Sequence, residues 1–108
     1  MRRREFVLAG LAAAFATATA AAQEAGPAGQ AWSIENAGGE FTIDFAPDGR
    51  VDDSRGGGET WHFDGRTLCV RTRGQEICEP WRGLSVGESY MSRAWSDTRE
   101  PVRVTRIA

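Results

Sequence analysis

The chain holds two cysteines, Cys69 and Cys78, and the Arg73-Gly74 pair lies midway between them. This symmetry limits what the chain can fold into more than any other feature. Leu68 and Val70 alternate with Cys69 and Arg71, the period of a half-buried strand. A two-residue turn at Arg73-Gly74 sets Cys69 opposite Cys78, Val70 opposite Ile77 and Arg71 opposite Glu76. Counted outward from the turn, the cysteines fall on a non-hydrogen-bonded pair, where side chains approach most closely. A bulged turn would shift the register by one and separate them. The reading is therefore a disulfide across one hairpin. Closing so short a loop is worth roughly 2.7 kcal/mol in the chain-entropy model.

The preceding segment extends the pattern. Trp61 and Phe63 alternate with His62, and Asp64-Gly65 is a strong hairpin signal. A two-residue turn there predicts Trp61 opposite Leu68 and Thr60 opposite Cys69. The two registers place Trp61, Phe63, Leu68, Val70 and Ile77 on one face. Thr60, His62, Cys69, Arg71, Glu76 and Cys78 take the other. Elsewhere Phe41, Ile43 and Phe45 alternate with Thr42 and Asp44, and Pro47-Asp48-Gly49 supplies a turn. Arg50 to Ser54 reads as the returning strand and Arg55 to Gly58 as a glycine-rich loop. Ser89 to Trp95 and Val102 to Ile107 read as two more strands. No segment after the leader holds a helical period, and Ala31 to Ala37 is too short to decide. The expected class is all-β, a small antiparallel meander of seven or eight strands closing into a barrel or sandwich with one disulfide. Closure removes exposed sheet edges.

The first residues set the compartment. Arg2, Arg3 and Arg4 precede an uncharged run from Phe6 to Ala22 that ends in Ala20-Ala21-Ala22. A basic start, an apolar middle and small residues at A-x-A spacing read as a cleavable export signal over 1–22. The run is short for a bilayer and rich in Ala and Thr, which favours cleavage near Ala22-Gln23 over a retained anchor. Arg3-Arg4-Glu5-Phe6-Val7-Leu8 resembles a twin-arginine export motif, and the general secretory route stays open beside it. The expected location is the periplasm, or outside the cell, where a disulfide persists. Removing 22 of the 108 residues leaves 86. Residues 23–30 read as a flexible tail and 31–108 as one domain, small enough for a covalent staple to matter. Without Arg2, Arg3, Arg4 and Glu5, the 13 basic and 15 acidic residues become 10 and 14. That balance argues against nucleic acid and against stable membrane insertion after cleavage.

No set of residues marks a catalytic centre. His62 is the sole histidine, and a catalytic histidine needs an orienting acid and a nucleophile or substrate group in reach. Asp44, Asp48, Asp52 and Asp53 lack the spacing of a calcium loop and read as turn formers. No Gly-Lys-Ser/Thr follows Gly56-Gly57-Gly58, so that run is a loop and not a phosphate cradle. The reading assigns no metal and no cofactor. Of the four tryptophans, Trp61 belongs to the core. Trp81, after a proline, and Trp95, near a loop, are candidates for an exposed binding surface with Arg82.

The stretch T-W-H-F-D-G-R-T-L-C-V from Thr60, followed by I-C-E-P-W to Trp81, resembles small exported proteobacterial β proteins of uncharacterised function. They share a Trp strand, a tight turn, a Leu-Cys strand and a second Cys on the return. The resemblance implies a stapled meander and carries no catalytic residue. The expected function is a non-enzymatic binding module of the cell envelope, with an envelope protein or glycan as partner. A lipocalin-like carrier and a hydrolase inhibitor are the alternatives.

Overall fold

The computed structural model describes residues 26–108. The expected export leader and its cleavage point lie outside the described residues. No helix among the described residues is long and apolar enough to cross a membrane.

The described chain runs through eight strands. They are β1 (Ala31–Asn36), β2 (Gly39–Phe45), β3 (Val51–Asp53), β4 (Gly58–Phe63), β5 (Thr67–Thr72), β6 (Gln75–Pro80), β7 (Ser89–Ser92) and β8 (Val102–Arg106). They form two antiparallel sheets, ordered β3-β2-β1-β8-β7 and β4-β5-β6. The all-β class and the strand count follow the sequence reading. β1, which the sequence left undecided, is the centre of the larger sheet. Its Ile34 lies between Phe41 on β2 and Val104 on β8. Trp32 and Ile34 point inward, and with Phe41, Ile43, Phe45, Val102 and Val104 they meet Leu68 and Val70 of the smaller sheet in one apolar cluster. Burying each such side chain contributes about 1.5–3 kcal/mol.

The β5–β6 hairpin has the predicted register. Cys69 faces Cys78, Val70 faces Ile77, and Arg71 faces Glu76. Arg73 and Gly74 have φ of 54° and 76°, the left-handed pair that a two-residue turn between twisted strands requires. Cys69 and Cys78 form a disulfide with Cα atoms 4.0 Å apart. It lies on the outer face of the sheet, where Cys78 is exposed, while Val70 opposite it is buried.

The β4–β5 register departs from expectation by two residues. Trp61 pairs with Val70 and His62 with Cys69. The cause is Asp64, whose Oδ1 accepts from the backbone N–H of both Arg66 and Thr67. That double cap holds a four-residue loop in place of the predicted two-residue turn. A slip of two keeps every side chain on its predicted face.

Residues 26–30, expected as part of a flexible tail, are docked. Gly29 N–H donates to the Phe45 carbonyl at 2.8 Å, and Gln30 N–H to that of Pro27 at 2.8 Å. Pro27 is fully buried. The sheets also meet along β3 and β4. Arg50 bridges to Thr60, and Trp61 Nε1–H donates to the Ala46 carbonyl at 2.8 Å. A Cβ on Gly58 would overlap the Val51 carbonyl oxygen, so this close approach admits glycine alone.

Candidate binding site

The tripeptide Asp-x-Arg occurs four times, and three of the copies, Asp48-Gly49-Arg50, Asp53-Ser54-Arg55 and Asp64-Gly65-Arg66, share one local bond. In each of these three the aspartate Oδ1 accepts the backbone N–H of the arginine. This is the Asx turn that aspartate forms two residues ahead. Only the middle copy is drawn inward. Asp53 shares the inward parity of Val51 on β3, and its side chain is fully buried. Arg55 returns to it with two side-chain bonds, Nε–H to Oδ1 at 3.0 Å and Nη2–H to Oδ2 at 2.8 Å. Thr72, on β5 of the opposite sheet, donates its hydroxyl to Oδ2 at 2.7 Å. Burial raises the Asp53 carboxyl, but the bonds from Arg55 and Thr72 outweigh it and hold it below the usual range.

Arg55 is thereby fixed. Its guanidinium carbon sits 3.5 Å from the centroid of the Phe41 ring, a cation–π contact. Arg73 Nη1–H donates to the Arg55 carbonyl at 3.3 Å. Two cavities adjoin Arg55. One, of about 500 Å³, is bounded by Thr72, Arg73, Gln75 and Ser96. The other, of about 450 Å³, is bounded by Asn36, Gly38, Gly39, Glu40 and Phe41. Arg55 and Asp97 line both.

A second buried carboxylate ties β6 to β7, the sheet margins opposite the β3–β4 contact. Glu79 accepts Ser92 Oγ–H at 2.9 Å, Trp95 Nε1–H at 3.0 Å and the Tyr90 hydroxyl. Burial, together with the bond to Glu79 and its charge, pushes the Tyr90 phenol well above its ordinary value. The Arg82 guanidinium lies 4.9 Å from the Tyr90 ring centroid.

These contacts relocate the sequence candidates. Trp95 is not a surface residue: it is 5% exposed and packs on Phe41. Its loop folds back so that the indole closes one end of the core. Trp81 is half-buried, stacked on Trp32 and tilted against Phe63. Arg82 is exposed beside it. Arg82 reaches the Tyr90 ring, and Tyr90 and Trp95 share the Glu79 carboxylate, while Trp81 packs on Trp32 and Phe63, so the three candidates do not form one surface. His62 is exposed on the outer face. The four early aspartates do not converge: Asp44 faces Asp52 on the outside, Asp48 pairs with Arg50, and Asp53 is inside. Sequence reasoning missed Asp53, Arg55, Glu79 and Tyr90. Parity held the signal for two of them, since Asp53 follows Val51, and Glu79 follows Ile77, by two positions.

No protein-family profile, curated protein or solved structure matches this chain.

Proposed function

We propose that the chain is an exported, non-enzymatic binding module of the cell envelope. One observation carries this reading: Arg55, anchored to buried Asp53 and laid on Phe41, is presented between two cavities at the end of a stapled scaffold. An arginine fixed in this way can meet a partner at little further cost in side-chain order. The aromatic filling of the interior by Trp32, Phe45 and Trp61 favours this surface over a carrier's internal cavity. For the architecture, the bridge between Arg50 and Thr60 favours a meander barrel whose β6–β7 margin is closed by Glu79.

The inhibitor reading has its own support. The Arg82–Glu88 loop is braced by Gly87 N–H to the Arg106 carbonyl at 2.7 Å and by Arg106 Nη1–H to the Leu84 carbonyl at 2.9 Å. It presents Val86 at 61% exposure. A braced loop with an exposed apolar tip suits insertion into a protease cleft.

Photo-crosslinkers at Asp97 and at Val86, in chain expressed through its own leader, separate the two. Envelope adducts from Asp97 support the module. Adducts from Val86 alone, to a hydrolase, favour the inhibitor. A stoichiometric apolar molecule in native mass spectra favours the carrier.

A further inference from the structure

Arg55 and Asp97 line both cavities, so the two adjoin there, and a ligand longer than either would run from one to the other across that pair. Charge is divided along this path. Arg73 stands at the first cavity, with Gln75 and Ser96 as neutral hydrogen-bonding groups. Glu40 stands at the second, beside the Gly38-Gly39 backbone. Asp53 already neutralises Arg55 through two hydrogen bonds. Arg55 and Asp97 are common to both cavities, so the path is polarised by Arg73 at one end and Glu40 at the other, and it carries little net charge. A polyanion would meet Asp97 and Glu40 as well as the arginines. A ligand with a carboxylate at one end and an ammonium at the other meets complementary charge at both.

We infer that this path binds a short zwitterionic peptide, with its terminal carboxylate toward Arg73 and Arg55 and its α-ammonium toward Asp97 and Glu40. This rests on the binding-module reading and names its ligand class. The extent of the path over two cavities favours a peptide over a single amino acid. Arg55 serves the carboxylate with the guanidinium nitrogen, Nη1, that the bonds to Asp53 do not use. Gln75 and Ser96 supply neutral partners for the peptide's amides.

The test is an NMR titration of the oxidised chain with alanyl-alanine. The expected result is saturable shifts at the Gln75 side-chain amide and at the Ser96 and Asp97 backbone amides. N-acetylated and C-amidated dipeptides should each bind about tenfold more weakly, the loss of one charge-assisted contact. Asp97→Asn should erase the penalty for N-acetylation. Arg73→Asn should erase the penalty for C-amidation, and Asn-Gly suits the same turn, so this variant keeps the hairpin. Unchanged spectra, shifts confined to another surface, or blocked dipeptides binding as tightly as the free one overturn the inference. Alanine binding as tightly as alanyl-alanine overturns the peptide assignment. The module reading fails separately, when Asp97 crosslinks capture no envelope partner.

Discussion

Trp95 Nε1 and Glu79 Oε1 are joined by a hydrogen bond of 3.0 Å, which fastens a loop tryptophan to the margin of the opposite sheet. The same carboxylate holds Ser92 and Tyr90. Replacing Glu79 by alanine leaves three donors without their acceptor. Glu79→Ala should lower stability by about 3 kcal/mol in urea unfolding. Glu79→Gln, which retains an acceptor, should cost less. Equal losses would mean that side-chain volume and not hydrogen bonding closes this margin.

Tyr90 is the single tyrosine of the chain, so phenolate absorbance reports it alone. Its pKa is raised in the fold by burial first and by Glu79 second. The folded state keeps the phenol proton after the unfolded chain has lost it. This contribution is full below about pH 10 and declines as pH rises beyond it. Alkaline titration should show no phenolate before unfolding. A phenolate signal near pH 10 from folded protein would place the hydroxyl in water.

Asp53 and Asp48 each open an Asp-x-Arg tripeptide but differ in burial. Asp53→Ala strands the Thr72 hydroxyl and unpairs Arg55, and should cost about 3 kcal/mol. Asp48→Ala should change chemical denaturation little. The Asp53 carboxyl is held low against the pull of burial by Arg55 and Thr72. Its contribution is full above the unfolded value of about 3.9 and is lost as pH falls through the folded value. Asp53→Asn should therefore flatten the acid limb of the stability profile.

The staple separates two neighbouring positions. Val70 is 1% exposed, whereas Arg71 is exposed and only loosely paired with Glu59 at 3.8 Å. Val70→Ala should cost more than about 1 kcal/mol, and Arg71→Ala less. Cys69→Ser with Cys78→Ser should cost roughly 2–3 kcal/mol. Thiol titration should find neither cysteine free.

Export is read from the product. Mass spectrometry of envelope-localised protein should show a start near Gln23, and Met1 retained in the membrane fraction would reverse the localisation. Replacing Arg3 and Arg4 with lysine should block export on the twin-arginine route and spare it on the general one.

Legibility followed the range of the interactions. The β5–β6 hairpin was readable because Arg73-Gly74, the cysteines and the alternation are local and agree. β1 was not: Ala31 to Asn36 gains its place from β2 and from β8, more than sixty residues away. The Asp64 loop failed by two residues because its side chain outbid the dipeptide rule. The site was the least readable part. Asp-x-Arg appears four times, and only pairing with Thr72 across the sheets distinguishes the copy that matters. Trp95 was misplaced because Glu79, its partner, lies sixteen positions earlier.

The outward position of the Cys69–Cys78 bridge leaves the order of folding and oxidation free. Neither sulfur is sealed beneath the core, so a thiol-exchange catalyst can reach the pair after the sheets have closed. Oxidation can therefore be the last step of maturation, carried out on a finished domain. A leader that exports folded cargo and one that exports an extended chain would both deliver a substrate ready for it.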